Sequence, residues 1–212
     1  MTPKCILFDL DGTLTDSGPG ILGCARETFI HYGIPLPDEA AMQTMVGPPL
    51  RASFLRFGFT EDQVEEAIVH YRRLYVDHGI FNNTPYPGIM TMVQRLAADG
   101  HRLFVATSKP EHMAVAIMEH FGFAPYFECI CGALMDGIRD KKEMVIEYLL
   151  EKAGHTAQLV MVGDTVFDVL GAKVHNIPTV AVSWGYGKSE EMMAAGAIAL
   201  AHDAQELYEL LK

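Results

Sequence analysis

The chain has little positive charge, few cysteines and no long apolar run, and each shortage excludes something. Lys and Arg number 16 against 27 Asp and Glu, a formal net charge of −11 over 212 residues. Nucleic-acid polymers are bound largely through basic contacts to phosphate, so this balance argues against such a partner. A small anionic ligand stays open, because a metal ion can supply positive charge locally. The four cysteines, Cys5, Cys24, Cys129 and Cys131, read as core residues, and a zinc site would need more ligands at suitable spacing. No apolar run approaches membrane-spanning length, and the start MTPKCILFDLDG lacks a signal-peptide pattern. The expectation is a soluble cytoplasmic protein with no membrane partner. No G-x-S-x-G is present to anchor serine-hydrolase chemistry, and the nine histidines show no paired ligand spacing. Residues 18–23 fit G-x-G-x-x-G, but they contain Pro19 and neither follow a strand nor lead to one, which removes the dinucleotide reading. There is no internal repeat and no low-complexity segment.

What the chain does have is concentrated in residues 4–17, KCILFDLDGTLTDS. Cys5-Ile6-Leu7-Phe8 suits a strand buried on both faces. It ends in two carboxylates, Asp9 and Asp11, one residue apart and so able to face one ligand. Gly12 permits a tight turn and Thr13 adds a hydroxyl. Ligands of open α/β sheets bind beyond the carboxyl ends of the strands, which is where these groups fall.

Residues 16–83 read as helices only, including a long amphipathic one over 61–78 capped by Thr60. From Pro85 onward the pattern changes. Helices over 88–99, 111–121, 142–153, 167–175 and 203–211 alternate with strands over 102–106, 127–131, 159–162, 178–182 and, weakly, 197–200. Such alternation implies right-handed crossovers and a doubly wound parallel sheet covered on both faces. Three strand ends carry polar groups able to converge: Asp9 with Asp11, Thr107 with Ser108, and Asp164 with Asp168 four residues on. Buried carboxylates of this kind invite a hard cation such as Mg2+, which joins one or two carboxylates to a phosphate. Lys141 and Lys142, opening the helix after Asp140, are the candidates for the basic residue such a phosphate requires.

Asp9-Leu10-Asp11-Gly12-Thr13-Leu14-Thr15-Asp16, Thr107 at the end of LFVAT, Lys142 in KKEMVIEYLLEK, and GDTVFD with Asp164 and Asp168 together resemble the four motifs of the haloacid dehalogenase superfamily. YPGI, ATSKP and VSWGYGKSEE further resemble its phosphoglycolate-phosphatase and 5′-nucleotidase-like branch. The resemblance implies a core of residues 1–15 and 84–212, a helical cap over 16–83, and hinges near 14–17 and 80–86. It also implies a Mg2+-dependent phosphatase of small phosphorylated metabolites, a nucleoside 5′-monophosphate or phosphoglycolate. Asp9 would be the nucleophile that becomes aspartyl-phosphate, and Asp11 the acid and base. Thr107, Ser108 and Lys142 would hold the phosphate, while Asp9, Asp11 through its carbonyl, and Asp164 hold the metal. Asp168 would orient a metal-bound water or the lysine without binding the metal itself. An acid at Asp11 favours a phosphatase over a dehalogenase, and leaves a sugar phosphomutase as the alternative. A phospho-acceptor signalling module fits poorly, being shorter and lacking the insertion. Residues 47–51, GPPLR, resemble a specificity loop, where Arg51 is either solvated or meets a second anion. A monomer or a weak homodimer would fit equally.

Overall fold

The apolar run after Lys4 forms strand β1, Cys5–Phe8, with all four side chains buried. In the computed structural model, which describes residues 3–48, 50–134, 138–154 and 158–212, five further strands join it. They are β2 (Arg102–Pro110), β3 (Cys129–Ala133), β4 (Leu159–Gly163), β5 (Thr179–Val182) and β6 (Ala199–Ala201). Their order across the sheet is β3-β2-β1-β4-β5-β6, and every neighbouring pair is parallel. The sheet therefore grows outward from β1 in both directions. Crossovers part at the β1–β4 boundary, and the crevice this leaves beyond the strand ends is where doubly wound sheets bind ligands.

The chain divides into two compact units, Met1–Asp16 with Pro85–Lys212, and Ser17–Thr84. In the first unit, helices α5 (Ile89–Ala98), α6 (Glu111–His120), α7 (Lys142–Ala153), α8 (Val166–Val174), α9 (Ser189–Ala195) and α10 (Ala204–Leu211) follow the strands. The α7 side chains Val145, Ile146 and Leu149 cover one sheet face through Cys5, Leu7, Phe104, Ala106, Cys131 and Met161. Helices α7, α8 and α9 lie side by side, and α10 lies beside α5.

The second unit is helical. It comprises α1 (Gly18–His31), α2 (Glu39–Gln43), α3 (Leu50–Arg56) and α4 (Glu61–Leu74), which widens into a π-turn at Tyr75–Gly79. Thr60 and Gln63 form a capping box at the start of α4. Phe29, Phe54 and Phe59 meet edge-to-face or tilted, with ring centroids 4.8–5.9 Å apart, and anchor α1 to α3. Gly20 explains the misleading glycine pattern: a Cβ there would lie 2.1 Å from the Gly79 carbonyl, so the glycine serves helix packing. Arg51 pairs with Glu61 and Glu65 on the exposed face of this unit. Pro49 of the 47–51 loop lies outside the described residues.

Two expectations need correction. Strand β2 does not stop at Ala106 but runs to Pro110, with a register shift between Ala106 and Pro110 that bends the phosphate-motif residues out of the ladder. Helix α9, only seven residues long, was not expected; it covers its own crossover by burying Met192.

Candidate active site

Strand β1 delivers Asp9 to the switch point, where its backbone N–H donates to the Val162 carbonyl at the end of β4 (2.9 Å). The chain then turns sharply. Gly12 has φ +85°, and its N–H donates to the Thr15 carbonyl (2.8 Å). A Cβ at Gly12 would fall 2.2 Å from Asp164 Oδ2, so glycine is required both by conformation and by contact. Asp164 follows β4 and is fully buried, as is Asp168 in the first turn of α8. Asp9, Asp164 and Asp168 form a cluster whose ligand atoms all lie within 4.8 Å of one another.

One buried cation balances them. Lys142, at the start of α7, places Nζ 2.8 Å from Asp9 Oδ1 and 2.8 Å from Asp168 Oδ1. Nζ also donates to the Ala106 carbonyl (2.9 Å), so one ammonium is shared between two carboxylates and a backbone oxygen. Lys141 next to it is exposed, since it is the cap residue facing away from the sheet. Asp168 Oδ2 accepts from Thr165 N (3.0 Å) and Thr165 Oγ1 (2.8 Å) in a capping box, which leaves both of its oxygens engaged.

Three carboxyl groups share one ammonium in this buried site. Burial pushes Asp9 up to about 6, with Asp168 adding to the rise against the pull of Lys142. Burial likewise raises Asp164 well above the usual carboxylate range, and Asp168 and Asp9 raise it further. Burial works against the Lys142 ammonium, but Asp168 and Asp9 outweigh it and raise its pKa.

The other residues divide into two groups. Asp11 is half-buried and faces a second lysine: Lys109 Nζ lies 2.9 Å from Oδ2 and 3.1 Å from Oδ1. Thr107 is buried, its Oγ1 accepting from Lys109 N (3.2 Å), whereas Ser108 is exposed. As alternate residues of β2, Thr107 and Lys109 share the buried side. Lys109 stands in the ATSKP motif but had no role assigned to it, because its partner Asp11 is 98 positions away.

The loop after β5 also reaches Asp164. Tyr186 N donates to Asp164 Oδ2 (2.8 Å), and Thr13 Oγ1 donates to Oδ1 (3.2 Å). Tyr186 OH donates to Asp16 Oδ1 (2.7 Å), and Trp184 Nε1 to the Thr13 carbonyl (3.1 Å). A Cβ on Gly185 would stand 2.3 Å from Asp164, and one on Gly187 2.1 Å from the Asp164 carbonyl. The glycines of WGYG let a backbone lie directly on the carboxylate.

A buried aspartate at the end of the first strand, a lysine on it, and two further aspartates from β4 and α8 are accompanied by a match of residues 6–182 to the haloacid dehalogenase-like hydrolase model. The chain belongs to the haloacid dehalogenase-like hydrolase family. This hydrolase is 39% identical over 191 residues to the 5′-nucleotidase of Pseudomonas aeruginosa, covering 89% of the chain and 86% of the relative. It is 41% identical to a protein of Mycobacterium tuberculosis named tyrosine-protein kinase PtkA, over 99% of the chain and 73% of the relative. The solved structure of M. tuberculosis PtkA superposes with a TM-score of 0.88 at 40% identity, over 99% of this chain and 98% of that one. The phosphoglycolate phosphatase of Rhodospirillum rubrum is 32% identical over 99% of the chain and 91% of its own length. Among the described residues no helix of this hydrolase is long and apolar enough to cross a membrane.

Proposed function

We propose that this hydrolase cleaves small phosphomonoesters by way of a phosphoaspartate on Asp9, with nucleoside 5′-monophosphates as its first substrate class and phosphoglycolate as its second. The observation that carries the reading is the Lys142 ammonium 2.8 Å from Asp9, beside Asp164 and Asp168. The likeness to a 5′-nucleotidase supports the nucleotide preference.

Asp9 attacks phosphorus and the ester oxygen leaves. Asp11 gives that oxygen its proton, then takes one from the water that opens the phosphoaspartate. Lys109 holds the Asp11 carboxylate in position by its two contacts. Thr107, the Ser108 N–H and Lys142 hold the phosphoryl oxygens and balance their charge, so positioning and electrostatics supply most of the rate.

The donor set fits magnesium: Asp9, Asp164 and the Asp11 carbonyl are hard oxygens, and the buried cluster sets three carboxyl groups against one ammonium. When bound, magnesium supplies Lewis-acid neutralisation of phosphoryl charge. Asp168, with both oxygens engaged, orients Lys142 and does not ligate. The helical unit serves as the substrate-selecting cap, with hinges at 14–17 and 80–86. The protein acts in the cytoplasm as a monomer or weak homodimer, on a small phosphorylated metabolite, without nucleic-acid polymer or membrane.

The similarity to PtkA supports a second reading, in which a protein hydroxyl takes the phosphoryl group in place of water. Phosphate release from nucleoside 5′-monophosphates, phosphoglycolate, sugar phosphates and pyrophosphate, with Mg2+ and with EDTA, separates the readings. Metal-dependent release that Asp9→Asn abolishes is expected. Release from no compound, with label passing from ATP to a tyrosine peptide or between sugar positions, would overturn the hydrolytic reading.

A further inference from the structure

Strand β3 closes one edge of the sheet and carries two cysteines that no part of the mechanism uses. Alternate residues of a strand share a face, and here Cys129 Sγ and Cys131 Sγ lie 3.0 Å apart. Cys131 is buried, while Cys129 is partly open to solvent. Both face α7, from which Lys152 stacks its ammonium over the Tyr148 ring at 4.4 Å and bears on the pair.

We propose that Cys129 and Cys131 are a redox-active dithiol that a hydroperoxide converts reversibly to an intrastrand disulfide. The two thiols divide the work by exposure. The Cys129 sulfur attacks a peroxide oxygen, the O–O bond breaks, and a sulfenic acid and hydroxide form. The Cys131 sulfur then attacks the Cys129 sulfur, the S–O bond breaks, and hydroxide leaves as water with the Cys131 proton. In sum, two thiols and one hydrogen peroxide give one disulfide and two waters, the peroxide taking the two electrons. The hydrogen bond between the thiols favours the first step by lowering Cys129 and raising Cys131. Cys5 and Cys24 are both buried, and burial raises each thiol, Cys24 to about 11, so neither competes.

Geometry makes the product labile. Two residues of strand span about 6.6–6.8 Å, at the upper edge of the roughly 4.4–6.8 Å that a disulfide accepts between Cα atoms. Strained disulfides have the higher potentials of reversible ones. Closure also reaches the phosphate motif. Cys131 pairs with Ala106, the residue before Thr107, and Gly132 approaches so closely that a Cβ would lie 2.5 Å from the Lys109 carbonyl. Drawing the sulfurs together shortens β3 along its own axis, beside the segment that carries Thr107 and Lys109.

The test treats the purified full chain with hydrogen peroxide, then counts thiols after denaturation and maps the peptides. The expected result is loss of two of the four thiols, the mass of two hydrogens lost from a peptide holding both cysteines, and full recovery with dithiothreitol. Cys131→Ser is expected to stop at a trappable sulfenic acid on Cys129, and Cys129→Ser to keep its thiols. Cys131→Ala, judged against the thermal stability of the wild type, guards against a variant that fails to fold. Intact thiols in the wild type, or a disulfide between chains, would overturn the dithiol. Phosphate release by the same samples is expected to fall several-fold on oxidation and return on reduction, and an unchanged rate would overturn the link to Thr107.

Discussion

Replacing Lys142 by methionine removes the cation that contacts Asp9 and Asp168 from a cluster of three buried carboxylates while keeping an unbranched chain of similar reach. Breaking one partner out of a buried ion pair costs about 3–5 kcal/mol. That is a large share of the roughly 5–15 kcal/mol that holds a domain folded. The cost depends on pH, and its sign follows from Asp9. The folded-state pKa of Asp9 is raised from 3.8 to about 6, so the folded protein binds this proton more tightly than the unfolded chain. Asp9 therefore favours the fold most below its unfolded pKa, and that advantage is lost as pH rises from about 4 to 6. At about 1.4 kcal/mol per unit, the window amounts to about 3 kcal/mol. Lys142, whose pKa is raised, stays charged across this range, so its own titration adds no slope. Above pH 6 the wild type offsets the ionised Asp9 with Lys142, whereas the variant cannot. Urea denaturation in EDTA at pH 8 and pH 5 should then give a destabilisation of about 3–5 kcal/mol at the higher pH and less than half of it at the lower. Magnesium should restore part of the loss at pH 8, because a divalent cation can balance the same carboxylates. Equal destabilisation at both pH values, or no response to magnesium, would refute the argument that Lys142 acts through charge.

Other perturbations test individual contacts. Lys109→Met frees Asp11, and kcat is expected to fall about 10–100-fold with little change in KM; a KM effect alone in steady-state assays would point to substrate binding. Gly185→Ala forces a methyl group against Asp164, and calorimetric titration should find Mg2+ affinity about 10–100-fold weaker. Tyr186→Phe removes only the hydroxyl that holds Asp16, so it should weaken Mg2+ binding less than Gly185→Ala while leaving the backbone N–H on Asp164. Equal losses in the two variants would show that the hydroxyl, and not the backbone contact, sets the carboxylate.

The alternation of elements after Pro85, and so the doubly wound parallel sheet, was legible from the order of residues, because periodicity and strand burial are local properties. The sequence also supplied Asp9 and Asp11 as a pair, since two positions along one backbone fix their relation. It placed polar groups at three strand ends able to converge, but did not show which atoms of distant segments meet. Whether Lys141 or Lys142 meets Asp9 depends on which side of α7 lies on the sheet, and burial of Val145, Ile146 and Leu149 turns Lys142 inward. Asp168 joins the carboxylate cluster because the first turn of α8 folds back beneath β4. Lys109 became a partner of Asp11 only because β2 lies beside β1, so that alternate residues at its end reach the end of β1. The WGYG loop resembled a family signature, but its contact with Asp164 required β5 to sit beside β4 and two glycines to admit the backbone. Local chemistry is written in the order of residues; the charges each one meets are decided by packing.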